Sequence, residues 1–520
     1  MRFGPMLRST KLTLDPQAQV TDEERETGLR RLVAEAAYSS GAVALTSGVI
    51  LTAFALHLGA SNLMIGILAS APFLTQLLQV PAILIVERLR ARKRIAVLTS
   101  IAGRLMLLVM AATAFATGTV PLLVFLGAQY VLCGLSAIGG CAWNAWIRDL
   151  APEARLGQIF ARRTSWTAGI GLAGGLAAAL ILEQTPDGSS ARSWAFAGMF
   201  IVGCVTGLIS ARIVSAMPEP QMPAASDRLS LGVLLRAPFA DRNFARLMGF
   251  VASWQFAVNL ATPFFTVFIV EQLHFDVSLV MVLSAVSQLA NLLALRTWGN
   301  LGDRFSNKSV MLVCAPVYIL CIVAMIGASQ IADRTSIIVW LGLLHALMGA
   351  SVAGVTLSST NIALKLSPRG SATAYVAANA LATALAAGIA PILGGLLADF
   401  FGSRQLELIL RWTSPSGNWA FPFRLSHWDF YFLLAGVLGL YAIHRLSLVQ
   451  EEGEIERGEM VGEVFALTRR AIRNVSSVAG LRAATDLPAS LLRDARLRYR
   501  LARAQRRQNL RAGYGGPDSP

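Results

Sequence analysis

The chain has 520 residues, of which 55% are apolar and only 14% charged, and its mean hydropathy is +0.57. That is too apolar for a water-soluble multidomain protein of this length, so the solvent it is written for is lipid. A formal charge of +15 does not point to nucleic acid, because the basic residues, arginine in all but four cases, gather in alternate loops as membrane topology demands.

Crossing a hydrocarbon core of about 30 Å takes about 20 apolar helical residues. Runs of that length predict spans at roughly 36–58, 62–86, 95–117, 121–146, 160–184, 193–216, 245–270, 277–298, 309–330, 336–360, 371–399 and 428–447. The expected fold is therefore all-α and integral to the membrane, with twelve transmembrane helices in two six-helix bundles. Residues 1–35 are polar, and the first apolar run is long enough to remain as a span, so no cleavable signal is expected.

Arg88, Arg90, Arg92, Lys93 and Arg94 follow span two, and Arg148, Arg155, Arg162 and Arg163 surround the connection after span four. The connections at Gly59 and Gly118 hold no basic residue. This asymmetry places both termini in the cytoplasm and the chain in a cytoplasmic membrane. The expected organisation is an N-terminal segment over 1–35, a first bundle over 36–216, a linker over 217–244, a second bundle over 245–447 and an arginine-rich tail over 448–520. Pro218, Pro220 and Pro223 mark the linker, and Leu229–Leu235 adds a short amphipathic piece.

The loop over 402–427, with Trp412, Trp419 and Phe421, reads as an interfacial aromatic anchor in preference to an outer cap. The tail begins acidic and ends in arginines from Arg493 to Arg511. It is either a basic amphipathic segment suited to anionic lipid or a solvated positive tail, and nucleic acid is not expected as a partner. Cys133, Cys141, Cys204, Cys314 and Cys321 all sit in apolar runs and read as core residues.

The strongest signal is an internal repeat. Span two ends in Ile83-Leu-Ile-Val-Glu87-Arg88-Leu-Arg90, and span eight ends in Gly299-Asn-Leu-Gly302-Asp303-Arg304-Phe-Ser306-Asn307-Lys308, with Glu87 and Asp303 216 residues apart. Asn144 and Pro152 recur as Asn361 and Pro368 at offsets of 217 and 216. Two agreeing landmarks per half indicate a duplication, here of six helices in parallel orientation about an axis along the membrane normal.

These residues resemble the major facilitator superfamily, whose loop after the second helix of each half carries a Gly-x-x-x-Asp-Arg-x-Gly-Arg-Arg type signature. The second copy matches at Gly299, Asp303, Arg304 and Lys308 and departs at Ser306 and Asn307. The first is weaker, with Ile83 for the glycine, Glu87 for the aspartate and Arg90 for the second glycine. The resemblance covers about residues 36–447. It implies a secondary transporter that moves a small solute by alternating access, acting as a monomer without cofactor or metal, with a proton or other ion as a candidate coupling partner. It also implies a conformational latch built from Glu87, Arg88, Gly299, Gly302, Asp303, Arg304 and Lys308, in which the Asp303 carboxylate meets the N-terminal end of helix eleven.

The family's central cleft, lined by helices one, four, seven and ten with two, five, eight and eleven behind, directs attention to polar residues within those spans. Gln255, Asn259 and Thr262 share one face of span seven; Ser284, Gln288 and Asn291 share one face of span eight. Gln76, Gln129, Tyr375 and Asn379 complete the amide and hydroxyl set, and the amides of spans seven and eight are expected to contribute more of the polar cavity than the first half does. His345 is either a coupling group or a packing residue. Arg104 is either an attractor of anions or a snorkelling side chain. Gly169, Gly171, Gly174 and Gly175 in span five, and Gly388, Gly394 and Gly395 with Pro391 in span eleven, read as close-packing and kink sites.

The alternative function is a transport-inactive membrane sensor or scaffold acting through its tail. An enzyme is not expected, since no His-Glu-x-x-His, Gly-x-Ser-x-Gly or Walker phosphate loop is present.

Overall fold

A computed structural model describes residues 14–451, apart from 152, 187, 223–236, 369–371 and 415–416. Pro152, Pro223, the amphipathic piece Leu229–Leu235 and the arginine-rich tail from 452 onward lie outside the described residues. Among the described residues, twelve helices are long and apolar enough to cross a membrane: one Asp22–His57, two Asn62–Leu89, three Arg92–Thr113, four Thr119–Leu150, five Arg162–Glu183, six Ser190–Ser215, seven Arg242–Gln272, eight Val277–Arg304, nine Asn307–Gln330, ten Arg334–Leu366, eleven Tyr375–Phe401 and twelve His427–Ser447.

Local chemistry sets their ends. Helix one begins well before its apolar run because Thr21 and Glu24 form a reciprocal capping box that satisfies backbone donors otherwise left open. Asp241, Ser306 and Asp333 cap helices seven, nine and ten by accepting from backbone amides. Helix two stops at Arg90, which takes the left-handed conformation at φ 51°. Leu293, Val120 and Leu320 keep large apolar side chains exposed on the outer helix surfaces, which in lipid needs no compensation.

The duplication is legible in the packing. In the first half helix one packs on five and six, three on four and six, and two on four; in the second, seven packs on eleven and twelve, nine on ten and twelve, and eight on ten. Every contact in one list has its counterpart six helices later. The halves meet through helix two against eleven and five against eight, again a symmetric pair.

The sequence reading contained no strand, yet residues 402–427 include an antiparallel hairpin of Gln405–Ser414 with Gly417–Ser426. Its register sets Trp412 opposite Trp419 and Glu407 opposite Arg424. The alternating Leu406-Glu407-Leu408 pattern suits a pleated strand. The side chains of the expected aromatic anchor, Trp412, Trp419 and Phe421, lie outside the described residues.

Candidate substrate cavity and its gates

Between the halves lies a cavity of about 480 Å³, within the size range of small-molecule sites. Helix two supplies Phe73, Gln76, Gln79 and Ile83; helix seven supplies Trp254 and Gln255; helix ten supplies Thr356, Ser359 and Thr360; helix eleven supplies Asn379 and Thr383. Among the described residues no charged side chain lines it, and most of its wall is apolar. Its polar groups are amides and hydroxyls. Gln79 donates its side-chain amide to Gln76, and the Asn379 side-chain oxygen is buried without a partner. Buried polar atoms of this kind are costly unless something hydrogen-bonds them, so Asn379 is a natural contact for a ligand donor.

The residues expected at a cavity separate into two groups. Gln76, Gln255 and Asn379 come together in its wall. Asn259 instead returns its amide to the Gln255 carbonyl at 2.8 Å, and Thr262 bonds the Val258 carbonyl and the Tyr318 hydroxyl. Tyr375 packs edge-on against Phe244. Gln129 is buried against Cys133, and His345 is buried with Nδ1 2.8 Å from the Leu341 carbonyl and its ring against Phe265. Ser284, Gln288 and Asn291 stay on the open face of helix eight, outside the lining. The wall therefore draws on helices two, seven, ten and eleven, where helix one and helix four were expected in place of two and eleven.

The cavity runs toward the arginine-rich face, where helix two ends and helix eleven begins. At the opposite face the halves are shut. A Cβ on Gly66 would stand 2.1 Å from the Pro391 carbonyl oxygen, one on Gly395 2.4 Å from the Asn62 carbonyl oxygen, and one on Gly388 2.5 Å from Leu74. Only glycine permits this backbone-on-backbone crossing, which accounts for the Gly388 and Gly395 pattern of span eleven. Asp399 finishes the closure: its carboxylate accepts from Asn62 Nδ2 at 2.9 Å and from the Leu63 amide at 3.1 Å, at the positive N-terminal end of helix two. On the helix five side, Gly175 leaves room for Met281 of helix eight.

The expected latch residues divide here, with Gly302 and Lys308 buried and the charged helix ends exposed. Glu87 and Arg88 are exposed at the end of helix two, and Asp303 and Arg304 at the end of helix eight. A Cβ on Gly299 would meet only Leu357, at an ordinary 3.7 Å, whereas one on Gly302 would press on Asn307 at 3.3 Å. Lys308 offers its backbone amide to Glu451 at 2.7 Å.

That last contact belongs to a paired device the sequence reading missed. Glu219, just after helix six, accepts from the Arg92 and Lys93 amides at 2.7 and 3.1 Å and from the Arg92 side chain. Glu451, just after helix twelve, accepts from the Lys308 amide, from Asn307 at 3.0 Å and from Lys365 at 3.1 Å. Each half thus ends in a buried glutamate that caps the N-terminus of its own third helix. Arg92, 2% exposed, also bonds the Ala145 and Pro220 carbonyls and pairs with Asp149. Burial pushes the Glu219 carboxyl above the usual carboxylate range, by more than the Lys93 and Arg92 contacts pull it back. Burial pushes Glu451 the same way, but the Lys308 amide, Asn307 and Lys365 together hold it below that range. The signal was present as an acid a few residues past the sixth helix of each half. It escaped the fixed 216-residue offset because Glu219 and Glu451 are 232 apart, the hairpin having lengthened the second half.

Among the described residues no group of three or more His, Cys, Asp or Glu is placed to hold a metal ion, and the five cysteines are unpaired.

The family model of the Major Facilitator Superfamily matches residues 247–484. Solved structures with the same fold include the nucleoside transporter NupG, at TM-score 0.60 and 13% identity over 81% of this chain and 98% of that one. A D-xylose-proton symporter follows at TM-score 0.59 and 13% identity, over 82% and 98%. A bacterial homolog of the human lysosomal transporter Spinster, solved inward-facing and unoccupied, aligns at TM-score 0.54 and 16% identity, over 74% and 84%. No curated protein sequence matches the chain significantly.

Proposed function

We propose, on the premise that this chain is a multi-pass membrane protein of the Major Facilitator Superfamily and a solute transporter, that it is a secondary carrier of a small uncharged solute working by alternating access. One observation carries this reading: the inter-bundle cavity opens at one face, while glycine-mediated contact of helices two and eleven and the Asp399 cap close the other. A cavity with no charged lining desolvates a charged cargo without repaying it, whereas amides and hydroxyls on an apolar wall suit a neutral molecule with a few hydrogen-bonding groups.

The arginine-rich face is the cytoplasmic one by the positive-inside rule. Both termini then lie inside, and the conformation is inward-open. In the reverse conformer the Asp303 carboxylate would reach the N-terminal end of helix eleven and, with Gly299, Gly302, Arg304 and Lys308, latch the cytoplasmic face as Asp399 latches the other.

The test is a thermal-shift panel of neutral and charged solutes, including uridine and D-xylose, on the purified protein, followed by counterflow of the best ligand in proteoliposomes. Stabilisation and counterflow by neutral solutes, weakened by Gln255→Ala, are expected. Stabilisation confined to charged solutes would overturn the assignment of cargo, and a bound ligand that shows no counterflow would overturn transport.

A further inference from the structure

A second chamber of about 210 Å³ lies inside the first bundle, walled by helices one, three, four, five and six. Unlike the inter-bundle cavity it is charged. Arg104 enters from helix three past Gly207 of helix six, where a Cβ would stand 2.4 Å from the arginine Cδ and 2.7 Å from its Nε. The glycine is the slot through which the side chain passes. Across the chamber Gly139 of helix four is equally necessary, since a Cβ there would fall 2.3 Å from the Thr99 hydroxyl.

Arg163 of helix five approaches from the other side. One of its terminal nitrogens lies 3.5 Å from the buried Glu35 carboxylate of helix one, whose second oxygen accepts from Ser210 at 3.1 Å. Its guanidinium carbon sits 4.9 Å from the Trp143 ring centroid, and its Nε is buried with no partner. Arg104 lines the same chamber as Glu35 but makes no hydrogen bond or ion pair among the described residues. Two guanidinium groups therefore face one carboxylate that is already engaged, leaving one positive charge and most of its donors uncompensated inside a bundle. An unpaired charge in such surroundings is costly, and the planar arginine fork is matched to oxyanions.

We propose that this chamber binds a small oxyanion, a carboxylate or phosphate group, held by Arg104 and the free edge of Arg163. Glu35 keeps Arg163 in place and acts as a positioning residue. With water occupying about 30 Å³ in the liquid, the space admits such a group with a few waters or a short tail. The site is separate from the cavity assigned to the transported solute and does not depend on that assignment. The same chemistry is offered by a free anion and by a lipid phosphate, and the test separates them.

Full-length protein in nanodiscs of zwitterionic lipid is titrated with inorganic phosphate or acetate against chloride at equal ionic strength, and its unfolding midpoint is followed. A saturable rise of about 2–4 °C with oxyanion over chloride is expected, and it should disappear in Arg104→Gln. Should that variant fail to fold, protection of Arg104 and Arg163 from phenylglyoxal by phosphate in the wild type, read by mass spectrometry, serves instead. A rise and protection produced by anionic phospholipid but not by free anion would assign the group to a headgroup and sustain the site. No differential shift and no protection with either source would overturn it, as would an undiminished shift in a folded Arg104→Gln protein.

Discussion

On the proposed alternating-access reading, Asp399 is a lever on the conformational equilibrium. Replacing it by alanine removes two charge-assisted hydrogen bonds, to Asn62 Nδ2 and to the Leu63 amide, and uncovers the positive end of helix two. Bonds to charged groups are worth about 1.5–3 kcal/mol where sheltered. Asp399 is exposed, so screening reduces each to about 1 kcal/mol or less. The pair joins one half to the other and is lost when the halves separate there, so about 1–2 kcal/mol enters the equilibrium directly. That corresponds to roughly a 5–30-fold shift toward the conformer open at this face. Spin labels at Ala60 and Ser403, on a chain with its five cysteines replaced, would report it by double electron–electron resonance. The wild type should show a short distance, Asp399→Ala a growing longer population, and Asp399→Asn an intermediate one because the amide retains one acceptor. A distribution unchanged in Asp399→Ala would refute the reasoning.

Gly66→Val should act in the same direction and more strongly, since a Cβ at that position would already overlap the Pro391 carbonyl; the same labels should find the short distance lost, with thermal stability lowered by only a few degrees. Asp303→Asn should act oppositely, favouring the conformer open at the arginine-rich face and slowing counterflow in vesicles without reducing expression. The two glutamate caps should diverge with pH. Glu451, held below the usual carboxylate range, contributes stability that is present at neutral pH and lost as pH falls through its lowered folded-state value. At neutral pH Glu451→Gln should therefore cost about 1–3 kcal/mol, and the difference from wild type should shrink on acidification. Glu219 is raised, so acidification through its folded-state value favours the fold; Glu219→Gln should cost less than Glu451→Gln at neutral pH. Unfolding midpoints of both variants from neutral pH down through the carboxylate range check the ordering.

What could be read from the residues divides cleanly by distance along the chain. The twelve spans, their alternating basic loops and the Glu87/Asp303 duplication follow from segment length, local charge and a fixed offset, and helix packing reproduces the duplication pair by pair. Gln76, Gln255 and Asn379 were identifiable because a polar amide in a membrane helix must face protein or water. The same rule named Asn259, Gln129 and His345, which satisfy it against their own helix or a close neighbour. Helical spacing defines a face and leaves its rotation about the helix axis open. That rotation was decided by packing: Gly66, Gly388 and Gly395 bring helix two against eleven, which turns helix two, and not helix one or four, into the cavity wall. The Glu219 and Glu451 caps, formed across 127 and 143 residues, likewise exist only once six helices have been assembled. The sequence by itself determined how many helices cross the membrane, in which order and with what symmetry, because each must separately satisfy its backbone in lipid. Only the tertiary structure decided which face each helix turns inward and where the halves are shut, because in lipid those choices rest on close contact between particular residues.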